Sequence, residues 1–184
     1  MHAMIDLETL ATPAELPPGA LVEVTEIAVV LFDEHGVYHA RTFHRFPAAN
    51  NGLASVGTAT WWMRRIASGQ IPAWHRQREH LGPKLPDMAG CLKDLQEFLT
   101  ANNVKSVWNK WHFDLPILEA HLGMYKLHCP WKFYQRRCIG QEMDLHNIRP
   151  EKGLTVHDAL DDAVDQAHHA QKILRRLKTI NPAA

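Results

Sequence analysis

Asp6 and Glu8 lie in the stretch MIDLETL, near the start of the chain, among the apolar residues Met4, Ile5, Leu7 and Leu10. The apolar residues suit a strand running into a core. Residues two apart on a strand project from the same face, so both carboxylates would leave one side of it. Neighbouring carboxylates repel, and burying either without a partner is costly. An edge strand with a solvated polar face would avoid the cost, but the apolar neighbours argue against it. The pair therefore asks for a cation, and for further ligands from elsewhere in the chain.

Two other segments offer them. WNKWHFD carries Asp114 where a short strand gives way to a helix, the edge at which open α/β sheets place their sites. TVHDALDDAVDQA carries His157, followed by Asp158, Asp161, Asp162 and Asp165. Each segment has a plain structural reading. Asp114 would serve as a helix N-cap, and the later aspartates would complement a helix N-terminus. Their joint occurrence with Asp6 and Glu8 favours chemistry. Clusters of carboxylate oxygens suit Mg²⁺ or Mn²⁺. Two such ions about 3.5–4 Å apart activate a water and stabilise the leaving oxygen of a phosphodiester. A histidine beside them, with an ordinary pKa of about 6.5, can remove the water's proton.

These residues carry a resemblance. MIDLETL resembles the first motif (Asp-x-Glu) of the DEDD superfamily of 3′–5′ exonucleases. WNKWHFD, with Asn109 followed after three residues by Phe113-Asp114, resembles the second. HDALDD, with His157 five residues before Asp162, resembles the third in its histidine form, DEDDh. The order and separations fit from residue 4 to about residue 170. TATWWMRR and the short middle region are similar to a branch holding phage DexA-like exonucleases and ribonuclease T-like exoribonucleases.

The resemblance implies a ribonuclease H-like fold and metal ligation by Asp6, Glu8, Asp114 and Asp162, with His157 as general base. Asp6 would bridge two Mg²⁺ (or Mn²⁺) ions. Helical spacing alone favours Asp161, four residues from His157, over Asp162; that argument lapses if His157 precedes the helix, and the resemblance selects Asp162. At the terminal nucleotide, Leu10 and Phe113 would press on base or sugar, and Thr9 and Asn109 would hydrogen-bond it. Trp61 and Trp62, beside Arg64 and Arg65, could stack on bases or pack in the fold. Arg136, Arg137, Lys172, Arg175 and Arg176 are candidate phosphate contacts. The Thr-Gly that often follows Asp-x-Glu is here Thr9-Leu10.

The elements that must position these groups follow from pattern. Leu21–Asp33 is β-branched and apolar, a buried strand, and Val37–Phe46 is its hairpin return. Residues 47–87 form a loop-rich insertion with short helices around TATWWMRRI and AWHRQREHL. Met88–Asn102 repeats apolar residues at helical spacing. Val104–Trp108 is a short strand, and Phe113–Gly123 a helix closed by its glycine. Between Phe133 and Asp144 lies a short strand or helix. The last helix spans about Thr155–Thr179, with Thr155 as N-cap. The sum is an α/β fold: a central mixed β-sheet led by a β-hairpin, flanked by α-helices, with the carboxylate strand central.

At 184 residues, the chain reads as one exonuclease domain, 1–184. Zero formal net charge points to no polyanion or membrane partner through a global field. No apolar run is long enough to span a bilayer, no secretory signal is visible, and Cys91, Cys129 and Cys138 form no CxxC, so the expected setting is the cytoplasm. His121, His128 and Cys129 lie close in sequence but match no familiar zinc spacing. The expected function is release of nucleoside 5′-monophosphates from 3′ ends of single-stranded DNA or RNA. The alternatives are an oligoribonuclease-like enzyme acting on very short RNA and a non-catalytic nucleic-acid-binding module. Many members of the superfamily are dimers, so monomer and homodimer both stay open.

Overall fold

Strand β1 (His2–Thr9) sits in the middle of a five-stranded mixed sheet in the computed structural model, which describes residues 1–149 and 157–180. The other strands are β2 (Val24–Phe32), β3 (Val37–Arg45), β4 (Ser106–Asn109) and β5 (Arg136–Cys138), in the order β3-β2-β1-β4-β5. β1, β2 and β3 are antiparallel neighbours, whereas β4 and β5 run parallel to β1. β2 is buried at every position, as expected of a β-branched apolar strand covered on both faces. The Asp33 carboxylate accepts from the N–H groups of His35 and Gly36 and so shapes the β2–β3 turn.

Helices α1 (Val56–Ala67) and α2 (Ala73–Leu81) occupy the expected insertion. Ser55 caps α1 by accepting from Thr58 N at 3.0 Å. Helix α3 (Met88–Ala101), capped by Asp87, packs with α4 (Asp114–Met124) on one face of the sheet. There Leu92, Leu95, Leu115 and Leu118 meet Ala3, Ile5, Leu7 and Val29. The opposite face is covered by α5 (Ile139–Leu145) and α6 (Ala159–Ile180). α6 meets Met4, Val30, Phe32 and Trp108 through Ala163, Ala167, Ala170 and Ile173. Alanines at helical spacing let its backbone lie close to the sheet.

Three boundaries differ from expectation. α4 runs through Gly123, and the chain turns away at Lys126, whose φ of 55° is left-handed. Residues 133–145 hold a short 3₁₀ turn, then β5, then α5, so strand and helix are both present. α6 begins at Ala159, and the expected cap Thr155 lies outside the described residues.

The close approach of α6 gives a stability test. Ala167 is fully buried, so Ala167→Leu should overpack the interface and cost about 1–3 kcal/mol in chemical denaturation. A change at exposed Lys93 should stay within about 0.5 kcal/mol. An unchanged midpoint for Ala167→Leu would mean that α6 does not pack tightly on the sheet.

Candidate active site

On β1, Asp6 and Glu8 continue the face that begins with Met4, so the apolar contact with α6 turns acidic toward the strand's end. β1 and β4 pair only from His2↔Ser106 to Met4↔Trp108. Beyond that point they part, and the buried carboxylate of Asp114 fills the fork, accepting the Leu7 N–H at 3.0 Å. Asp114 is the first residue of α4, as its sequence position suggested. From the other side, Gln166 Nε2 donates to Asp6 Oδ1 at 2.6 Å. Asp162, one turn earlier on α6, accepts the backbone N–H of His157 at 3.3 Å. His157 lies before α6 with φ 69°, so spacing along a continuous helix does not apply to it. Asp6, Glu8, Asp114, His157 and Asp162 all line one cleft of about 360 Å³. Ligand atoms of Glu8, His157 and Asp162 lie within 4.8 Å of one another. Asp161, by contrast, is exposed and does not line the cleft.

The electrostatics are those of converging buried carboxylates, with Lys110 as a cation at the cleft wall. Burial, then the charges of Asp114, Glu8 and Asp162, hold Asp6 well above the usual carboxylate range. Glu8 is pushed up to about 9, first by burial and then by Glu26 and Asp162. Burial also raises Asp114 to about 7, against the pull of its bond from Leu7. Asp162 is raised by burial. Four converging oxygen donors of this kind fit hard divalent cations, which would reverse every one of these shifts.

Trp61 and Trp62 meet His157 edge-on, with ring centroids 4.7 and 6.0 Å away. Trp62 is buried, donates from Nε1 to Thr9 O at 2.9 Å and abuts Trp74, so it packs in the fold while lining the cleft. Trp61 is 38% exposed, enough to leave part of its ring open to a ligand. Burial, Arg65 and Lys110 together lower the pKa of His157. Phe113 and Thr9 also line the cleft, the Thr9 hydroxyl donating to Ala11 O.

Two residues expected at the terminal nucleotide are not among those lining the cleft. Leu10 is tied by its backbone to Glu23 and Ser55 and does not line the cleft. Asn109 is buried, its amide donating to Arg137 O and accepting from Phe113 N, so it braces the turn before Asp114. Arg136 pairs with Glu119, while Arg137, Arg175 and Arg176 donate to backbone carbonyls; none lines the cleft, nor does Lys172. His121 bonds Val22 O and His128 bonds Gln96, so no zinc site forms with Cys129 among the described residues. Lys110 and Gln166 do line the cleft, although the sequence singled out neither. Their signals were position alone, between the residues of WNKWHFD and one turn beyond Asp162.

A family model described as the 3′–5′ exoribonuclease Rv2179c-like domain matches residues 1–174. No curated protein matches the chain. Among solved structures, the nuclease domain of 3′hExo, a DEDDh family member bound to rAMP, is 17% identical with a TM-score of 0.61, covering 95% of this chain and 91% of that one. A full-length 3′-exonuclease is 16% identical with a TM-score of 0.62, covering 95% and 81%. Cell-death related nuclease 4 is 12% identical with a TM-score of 0.59, and this chain's match covers 64% of its length. The sheet and its flanking helices thus have the ribonuclease H-like architecture of these nucleases.

The raised carboxylates set a pH and metal test. In the folded protein Glu8 and Asp114 keep protons up to about 9 and about 7, whereas the unfolded chain releases them near 4.5 and 3.8. The folded state therefore binds more protons across that window, and its stability falls as pH rises through it. In chelator, the melting temperature should drop between about pH 5 and about pH 8. Added Mg²⁺ or Mn²⁺ should raise it more at the higher pH. Equal stability at both pH values in chelator would contradict this burial of charge.

Proposed function

The chain belongs to the family of Rv2179c-like 3′–5′ exoribonuclease domains and is a 3′–5′ exonuclease, and we propose that it trims single-stranded RNA from the 3′ end, one nucleoside 5′-monophosphate at a time. The convergence of Asp6, Glu8, Asp114 and Asp162 beside His157 in one cleft carries this reading. RNA is favoured by the family's description and by two structural neighbours, one bound to rAMP and one recognising a histone mRNA stem-loop at its 3′ end. The family match and a sheet drawing strands from residues 2–138, closed by α6, support reading the chain as one catalytic domain.

In the proposed mechanism, Asp6, Glu8, Asp114 and Asp162 would hold two Mg²⁺ or Mn²⁺ ions. Such ions supply Lewis acidity at the phosphodiester and a nucleophile from water near neutral pH. Gln166 fixes the orientation of Asp6, and the Leu7 N–H fixes that of Asp114. His157, kept neutral by burial and two nearby cations, takes the proton of the attacking water. The rings of Trp61 and Trp62 limit how far its imidazole can turn. Lys110, at the cleft wall, meets phosphate charge, and the open part of Trp61 stacks on a base. Attack at phosphorus expels the 3′-oxygen of the preceding nucleotide, so the product carries a 5′-phosphate.

Incubating 5′-labelled RNA and DNA strands with Mg²⁺, Mn²⁺ or chelator tests the reading directly. A metal-dependent ladder of 3′-shortened RNA is expected. Cleavage confined to dinucleotides would select the oligoribonuclease-like alternative, and no cleavage would leave a binding module.

Variants separate base from ligand. His157→Ala should lower turnover by about 10²–10⁴-fold while metal binding survives. Asp162→Asn should weaken metal binding, with activity partly restored by extra Mn²⁺. The wild-type rate should rise with pH through a midpoint below 6.5, because the imidazole's pKa is lowered, and that limb should vanish in His157→Ala. A variant cleaving at the wild-type rate would remove His157 from the chemistry.

A further inference from the structure

Beside the cleft, a second group of ligating atoms comes together from three elements. Glu26 on β2, His44 on β3 and Asp158 just before α6 place one ligand atom each within 4.8 Å of the others. Glu26 pairs with Glu8 across the β1–β2 ladder, so this group lies one strand outward from the catalytic carboxylates. Glu26 is fully buried. Its Oε1 accepts from His44 Nε2 at 2.7 Å and from Ala159 N at 3.2 Å.

A plain ion pair between His44 and Glu26 explains only half of this. The other carboxylate oxygen, Oε2, is buried and has no hydrogen-bond partner. A buried acceptor left empty costs about 1–3 kcal/mol, and more when charged. Asp158 Oδ1 accepts the Asp161 N–H at 3.4 Å at the start of α6, and its charge also bears on Glu26 from this third element. A bound cation would use the empty oxygen, the imidazole and Asp158 together.

We propose that Glu26, His44 and Asp158 form a divalent-cation site, separate from the catalytic carboxylates, that fastens the start of α6 to the sheet. One imidazole nitrogen with two carboxylates suits Zn²⁺ or Mn²⁺ better than Mg²⁺, and leaves a position for water. With ligand bonds of about 2.0–2.2 Å, the ion would replace the 2.7 Å hydrogen bond between His44 Nε2 and Glu26 Oε1, that pair opening slightly while Asp158 draws in. His44 and Asp158 are both partly exposed and can supply that movement by side-chain rotation. Because Glu26 also holds Ala159 N, two residues after His157, the ion would brace the segment that carries the proposed base.

Zinc-edge anomalous diffraction from crystals soaked in Zn²⁺, with calorimetric stoichiometry in solution, tests the site without reference to activity. A peak between Glu26, His44 and Asp158 is expected in the wild type. His44→Ala and Asp158→Asn should each abolish that peak and lower the stoichiometry by about one ion per chain. Both positions are partly exposed, so at least one variant should keep the native circular dichroism. Peaks confined to Asp6, Glu8, Asp114 and Asp162, or a stoichiometry unchanged in a folded variant, would overturn the proposal. A peak at the new site with none at those four carboxylates would uphold it and count instead against the two-ion mechanism.

Discussion

Mutual repulsion among carboxylates in one buried space is the interaction on which the rest of the structure depends. Water would relieve it, but Glu8 and Asp114 are almost inaccessible. An uncompensated buried charge costs several kcal/mol. Each fully buried Leu, Ile, Phe or Met returns about 1.5–3 kcal/mol, so two or three core side chains offset one such carboxylate. The protein has them on both faces of the sheet: Ile5, Ile27, Leu31 and Leu118 on one side, Met4 and Phe32 on the other. The apolar layers thus hold the carboxylates together, and the protons that Glu8 and Asp114 retain relieve part of the repulsion.

How the cluster is assembled follows from two local departures from regularity. The first is the fork between β1 and β4. Parallel pairing stops after Met4, which leaves the Leu7 N–H without a ladder partner, and the Asp114 carboxylate takes that place. An N-terminal helix residue therefore completes a strand while lining the cleft. The second is the alanine stripe of α6. Bulkier residues at 163, 167 and 170 would hold the helix away from the sheet, and Gln166 could no longer reach Asp6 at 2.6 Å. Catalytic geometry here is a consequence of how strands part and how closely a helix can lie.

The sequence made much of this legible where its signals were periodic. The alternation in β1, the β-branched run of β2 and the helical spacing in α3 each name one element and one face. The order of the three motifs, together with the resemblance they carry, brought Asp6, Glu8, Asp114, His157 and Asp162 to one place. What escaped were single polar residues whose meaning depends on a neighbour distant in sequence. Gln166 looks like a solvated helix residue until Asp6 is opposite it, and Glu26 is one acid in an apolar strand until His44 and α6 cover it. Asn109 has a local role that its place beside the motif does not announce. An amide beside a catalytic motif suggests a ligand contact, yet the turn before Asp114 uses its hydrogen-bonding groups. Gly123 was expected to end α4, but a left-handed Lys126 does so three residues on.

The choice between Asp161 and Asp162 shows why geometry before a helix differs from geometry within it. Along a continuous helix, four residues separate side chains that share a face and five do not. His157 lies outside α6 in the left-handed region, which is costly for a residue with a side chain. Trp111 and His112, in the loop leading to Asp114, share that conformation, with φ values of 52° and 55°. Trp111 lies over Gly140, where a Cβ would approach its ring to 2.6 Å. Strained backbone therefore precedes both helices that carry cleft carboxylates, and tertiary contacts hold it: Gly140 beneath one loop, Trp61 and Trp62 beside the other. Relaxing the turn at His157 toward helical values would swing its imidazole off these rings and toward the face of Asp161. The strain is what sets the imidazole beside Asp162 and Glu8, with ligand atoms of all three within 4.8 Å of one another.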